Sequence, residues 1–206
     1  MKHLIPIFLA FCLLACGEQE LSSLNDFESY INDEQNGLTR TKHVNGYFLK
    51  WQLLPNSFLE KKEEKQGIQN DSEEDLNRGK SIYCLFSIIP DEQDKTQDIV
   101  LENTMNVEEF KRKYEELSFY IQEDIRLKTG DGNEISPVLA HMEPVHQLKK
   151  GRTFNLVFAP RNEAEFSLFE HLDELDFVYD DRLFSLGMNH FVFDKKNLVE
   201  LPQLTF

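Results

Sequence analysis

Apolar and polar residues alternate along several short stretches of the chain, and a period of two is typical of a half-buried β-strand. Residues 47–54 carry large apolar side chains at every second position, and Pro55 follows them. Residues 81–89 are apolar on both faces, which predicts a strand in the centre of a sheet. Similar patterns predict further strands at residues 125–128, 135–142, 153–159, 175–179 and 191–193. The first two are predicted to form a hairpin, in which Pro137 indicates an edge strand.

Two stretches have helical spacing instead. Ser22 or Ser23 is placed to cap a helix that begins near Leu24 and ends at Asn36-Gly37. Asn106, with Glu109 three residues later, resembles a capping box. The apolar positions that follow recur every three or four residues, and we expect this stripe to pack on the sheet rather than in a partner's groove: Val107, Phe110, Tyr114, Leu117 and Ile121. The interval 163–172 fits either a short helix or a strand.

These elements predict an α+β fold, made mainly of an antiparallel β-sheet or sandwich with one or two packed amphipathic helices. Strands follow one another through local links, and the regular strand-helix alternation of a parallel sheet is absent. Residues 23–206 are predicted to form one globular domain. Residues 60–80 are rich in charge and poor in aliphatic side chains, so we expect a mobile loop there.

The pattern of the amino-terminal segment predicts a targeting signal rather than an element of the folded domain. Leu4 to Ala15 is an uninterrupted apolar run that follows Lys2. A membrane-spanning helix needs about 20 apolar residues, so this run is too short to span. Its length suits the apolar core of a secretory signal. The alternative is a buried amino-terminal helix of a cytosolic protein.

The residues at the end of this run resemble a lipobox. Leu13-Leu14-Ala15-Cys16 is similar to the cleavage site of bacterial lipoproteins, with Leu three residues before the Cys and a small residue directly before it. The resemblance implies that residues 1–15 are a signal peptide, that Cys16 is lipidated and becomes the first residue, and that residues 16–22 form a tether. Gly17 in place of Asp implies, by similarity to enterobacterial sorting, the outer membrane.

The body has a looser resemblance to a family. Asn36-Gly37-Leu38, Asn45-Gly46-Tyr47 and Leu54-Pro55 are similar to the start of uncharacterised lipoproteins of Bacteroidota. This resemblance implies no known activity.

Charge narrows the choice of partners. The chain has 37 acidic and 22 basic side chains, a formal net charge of −15. Such a surface argues against nucleic acid, because affinity for phosphates comes largely from Lys and Arg. It also argues against electrostatic adhesion to anionic lipid. We therefore expect contact with the membrane only through the lipid on Cys16, and a possible protein partner in the envelope.

Candidate chemistry is sparse. His141, Glu143 and His146 are weak candidates for a metal site, but Pro144 prevents a regular helix between the two histidines. A carboxylate cluster is the other candidate, although a solvated strand face is the more common explanation of such a pattern: Asp173, Glu174, Asp176, Asp180 and Asp181. Cys84, in an apolar stretch, suits a small buried side chain rather than a nucleophile.

The sequence contains no Gly-x-Ser-x-Gly, His-Glu-x-x-His, Cys-x-x-Cys or phosphate-binding glycine run. No cofactor is therefore expected. The leading hypothesis is a lipid-anchored envelope protein of unknown specific role, which acts as a non-enzymatic binding or assembly module. The alternative is an envelope hydrolase that uses the carboxylate cluster or the histidine pair.

Overall fold

The computed structural model describes residues 20–67, 80–92, 97–130, 132–144 and 150–206. Helices and strands alternate irregularly along these residues. In chain order they are β1 (Glu20–Leu21), α1 (Leu24–Asn32), β2 (Thr39–Val44), β3 (Tyr47–Leu54), α2 (Asn56–Gln66), β4 (Ile82–Pro90), α3 (Val107–Glu115), β5 (Ile125–Lys128), β6 (Glu134–Ile135), β7 (Leu139–Met142), β8 (Arg152–Phe158), α4 (Glu163–His171), β9 (Glu174–Asp180), β10 (Met188–Asp194) and β11 (Gln203–Leu204).

Two antiparallel sheets hold most of the strands. One has the order β2-β3-β4-β8-β7, and the other has the order β10-β9-β5-β6. The short strands β1 and β11 pair in parallel and join the two ends of the described chain. The predicted α+β class with mainly antiparallel sheets is therefore confirmed.

Aromatic side chains fill the space between the two sheets. Trp51 on β3 stacks on Phe177 of β9, with ring centroids 4.7 Å apart. Phe86 on β4 contacts Tyr179 of β9, with centroids 4.8 Å apart. All four side chains are fully buried, and aromatic pairs of this kind add about 0.5–1.5 kcal/mol to the stabilisation from buried area. The apolar face predicted for residues 47–54 is thus the inner face of the larger sheet.

Both predicted helices begin at the predicted caps, but the predicted end of the first is wrong: α1 ends at Asn32, and a separate 3₁₀ turn over Glu34–Asn36 leads to Gly37. The Ser23 side chain accepts from the Asp26 N–H, and that of Asn106 from the Glu109 N–H. The stripe that starts on α3 packs only in part, however. Leu117 and Ile121, which lie in the π and 3₁₀ turns after α3, are buried, whereas Val107 and Tyr114 are 61% and 44% exposed.

The prediction of a loop over residues 60–80 is wrong for its first residues. Residues 60–66 continue α2, which buries Phe58 and carries an ion pair between Lys61 and Glu64. Lys and Glu favour helix even where nothing is buried, and Gly67 in the left-handed region ends the helix. The rest of the predicted loop lies at residues 68–79, outside the described residues.

The strand predicted at residues 135–142 is two strands in different sheets. Glu134–Ile135 pairs with β5 and completes the predicted hairpin, whereas Leu139–Met142 pairs with β8. Pro137 lies between them, and a residue without an N–H cannot continue a strand ladder. Both pieces are edge strands, as the proline predicted.

Candidate functional site

The folded domain begins earlier in the chain than the predicted tether allows. Cys16 lies outside the described residues, but Glu20 and Leu21 form β1 and pair with Gln203 and Leu204. Leu21 is only 2% exposed. The prediction of a tether over residues 16–22 is therefore wrong for residues 20–22, because the apolar Leu21 side chain packs into the core.

The candidate metal ligands His141 and Glu143 lie along an extended segment. His141 is exposed on β7, and the Glu143 carboxylate accepts a 3.2 Å hydrogen bond from Asn155. Glu143 donates its N–H to the Thr153 carbonyl and so extends the ladder with β8, which keeps His141 and Glu143 on extended backbone rather than in a curl. His146 lies outside the described residues. Within the described ranges, no cluster of three or more metal-ligating side chains occurs.

The five candidate carboxylates are divided between the two ends of β9. Asp173, Glu174 and Asp176 lie at its beginning, and Asp180 and Asp181 at its end. At about 3.3 Å per residue, even the nearest members of the two groups, Asp176 and Asp180, are roughly 13 Å apart along the strand. The sequence cluster is therefore two unrelated groups in space.

The first three carboxylates line a polar cavity of about 410 Å³, here called the acidic cleft. Its walls also carry Lys128 and His171. Asp176 is half-buried and lies 2.9 Å from Nδ1 of His190 on the neighbouring strand. Asp173 and Glu174 are exposed, as expected for a solvated face.

At the other end of β9, the carboxylates support the fold. Asp181 accepts hydrogen bonds from the Tyr179 hydroxyl at 2.8 Å and from the backbone N–H groups of Leu183, Phe184 and Leu186. Beside it, the buried Asp124 pairs with Arg182. Burial raises the pKa of the Asp124 carboxyl to about 6, and the Arg182 guanidinium opposes this rise.

Cys84 is an inert core residue. It lies on the central strand β4 and is 1% exposed. Burial raises the pKa of its thiol far above the usual value, so the nucleophilic thiolate is disfavoured. This agrees with the expectation of a small buried side chain.

A second cavity, here called the apolar cleft, was not predicted from the sequence. Its volume is about 560 Å³, within the range of roughly 300–1,000 Å³ for small-molecule sites. Four segments that are distant in sequence build it: the junction of β3 and α2, residues 80–83 at the start of β4, α4, and residues 195–201. Most of its lining is apolar, including Leu54, Ile82, Phe166, Phe169, Leu198 and Leu201.

Two lysines bring positive charge to the apolar cleft. Lys80 has its ammonium 4.6 Å from the ring centre of Phe166. Lys195 donates to the carbonyl oxygens of Phe169 and Glu170 at the end of α4. Burial lowers the pKa of Lys195. These contacts hold both ammonium groups against the apolar wall.

Comparisons with known proteins add no function. No family model matches the chain, and no curated protein matches it. Among solved structures, the chain is similar to a protein of unknown function from Burkholderia pseudomallei, at 10% identity and a TM-score of 0.40. The match covers 88% of this chain and 94% of that one. In the described ranges, no helix has the length and apolar character needed to cross a membrane.

Proposed function

We propose that this chain is a lipid-anchored protein of the bacterial cell envelope whose α+β domain is a non-enzymatic binding module. The observation that carries the proposal is Leu13-Leu14-Ala15-Cys16 directly after an apolar run that is too short to span. Lipidation of Cys16 by two or three acyl chains would anchor the protein stably, whereas one chain holds only marginally. By the same resemblance, the outer membrane is the proposed location.

Two features of the domain are consistent with this anchor. Between Cys16 and Glu20 the chain spans at most about 14 Å, so the domain would lie close to the membrane. Without Lys2, which leaves with the signal, the protein has 21 basic and 37 acidic side chains, a net charge of −16. Such a surface would be repelled by anionic lipid, and the acyl chains would supply the attachment.

The apolar cleft supports a binding role better than the carboxylates support hydrolysis. General acid-base work on one substrate needs its carboxylates within reach of the same bond. Only Asp173, Glu174 and Asp176 share a cavity, and of these Asp173 and Glu174 are exposed while Asp176 is paired with His190. The apolar cleft has the size and the mixed apolar and charged lining of ligand sites.

The test is the distribution of the protein between membrane and soluble fractions of cells that express the full chain. We expect the wild type in the membrane fraction, and Cys16→Ser released from it or retained as an uncleaved precursor. Cys84→Ala is the matched control, because it also removes one thiol but leaves the anchor intact. Wild type and Cys16→Ser with the same length and the same distribution would refute the proposal.

A further inference from the structure

The apolar cleft has a charge that differs from the rest of the surface. Among the described residues that line it, two are basic, Lys80 and Lys195, and one is acidic, Glu170. The chain as a whole carries a net charge of −15. An apolar cavity with an excess of one positive charge complements a ligand that has an apolar body and one negative group.

The two lysines are fixed where such a negative group would lie. The Lys80 ammonium rests on the face of Phe166, and Phe166 itself belongs to the apolar wall. The Lys195 ammonium is half-buried and held by two carbonyl oxygens of α4. An ammonium that has lost part of its hydration gains more from a nearby anion than one in bulk water.

The cleft also lies beside the place where the chain enters the fold. Leu201 lines the cleft, and Gln203, two residues later, pairs with Glu20 on β1. Two residues span at most about 7 Å. If Cys16 is anchored as proposed above, the cleft is therefore at the membrane-proximal end of the domain, where acyl chains are abundant.

We propose that the apolar cleft binds a single-chain anionic amphiphile of the fatty-acid class. The alkyl chain would lie against Phe166, Phe169 and Leu198, and the carboxylate would face Lys80 and Lys195. Removal of each methylene from water is favourable, so the alkyl chain supplies most of the affinity and the lysines orient the carboxylate. This inference deepens the proposed function and rests on it for the source of the ligand.

Photolabelling of the native protein in phosphatidylcholine vesicles tests this inference. The probe is a palmitic acid analogue with a diazirine in its chain, and tryptic peptides are analysed by mass spectrometry. Two peptides report on the cleft, residues 162–182 and residues 197–206. Residues 114–126 are the control for non-specific labelling, because they carry the exposed Phe119 and Tyr120.

We expect the label on the two cleft peptides and its removal by excess palmitate. Lys80→Glu should lower this labelling about tenfold, because it replaces an attraction to the carboxylate by a repulsion. Lys80 is exposed, so the change spares the core. Lys111→Glu on α3 makes the same change of charge at an exposed site away from the cleft and should leave the labelling unchanged.

Three results would overturn the inference. One is equal labelling of peptide 114–126 that palmitate does not remove. Another is the same labelling of Lys80→Glu and Lys111→Glu. The third is a cleft that is labelled in Cys16→Ser but not in the lipidated protein, because the chain's own acyl group would then occupy it.

The mass of the amino-terminal peptide shows whether the proposed binding site or the proposed anchor is wrong. An unmodified Cys16 together with a labelled cleft would refute the anchor and leave the binding site standing. An acylated Cys16 with an unlabelled cleft would refute the binding site alone.

Discussion

Both clefts take residues from α4, His171 in the acidic cleft and Phe166 in the apolar cleft, but they differ in how their side chains meet. The acidic cleft takes Asp173, Glu174 and Asp176 from one short stretch, and all three are close in sequence. The apolar cleft takes its walls from four separate segments. Polar groups that are neighbours along a strand remain hydrated, whereas apolar groups from distant segments come together only when the fold buries them. The difference shows that a dense sequence cluster need not form a site.

The largest expected loss of stability comes from a substitution in the apolar cleft. Phe169 lines the apolar cleft but is only 5% exposed, so it is also part of the core. Phe169→Ala should lower the free energy of unfolding by about 3 kcal/mol, through lost burial and a new cavity. Urea denaturation measures this loss. The half-buried Phe166 is the matched control, and Phe166→Ala should cost less. Equal losses in the two variants would mean that Phe169 and Phe166 do not differ in packing.

A smaller effect distinguishes a buried carboxylate from those of the acidic cleft. Asp124, at the other end of β9, has a pKa of about 6 in the folded protein, above its ordinary value. Between these two pKa values the folded state binds more protons than the unfolded state, so this group's contribution to stability falls as the pH rises from about 4 to 7. Relative to Asp124→Asn, the wild type should lose on the order of 2 kcal/mol over this range.

Unfolding free energies of both proteins at pH 4, 5, 6 and 7 measure this loss. Asp173→Asn is the control from the acidic cleft, since its side chain is exposed. Stability curves of the wild type and Asp124→Asn that run parallel across the range would contradict the prediction.

The smallest effect is expected within the acidic cleft. Asp176 and His190 form a pair at 2.9 Å, but the His190 side chain is 40% exposed. Exposed pairs contribute little, so Asp176→Asn should cost about 0.5 kcal/mol or less in unfolding free energy. In 1 M salt, where the screening length is about 3 Å, the difference should shrink further. A loss comparable to that of Phe169→Ala would show that the acidic cleft is a packed site after all.

The sequence predicted elements where one local signal was enough. Alternation predicted β3, and Asn106 with Glu109 predicted the start of α3. Local signals of this kind also mark two further places in the chain. Asn162 with Glu165 caps α4 in the same way as Asn106 with Glu109 caps α3. Asn45-Gly46, both in the left-handed region, forms the two-residue turn between β2 and β3.

The sites could not be predicted in the same way. No local pattern connects Leu54 with Leu201, because their proximity depends on the order of strands in two sheets. The prediction that the whole apolar stripe on α3 packs on the sheet was wrong for a related reason. Periodicity identifies an apolar face, but on α3 only Phe110 packs against the core, Val107 and Tyr114 stay exposed, and full burial begins at Leu117. The length of a strand, in turn, separated carboxylates that the sequence places together.

The central claim is that Cys16 is the lipidated first residue, and the mass of one peptide tests it most directly. Trypsin should release residues 16–40 from the native protein, because Arg40 is the first basic residue after Cys16. The account predicts that this peptide begins at Cys16 and carries the mass of two or three acyl chains. A peptide that continues into the apolar run before Cys16, or an unmodified Cys16, would contradict the claim.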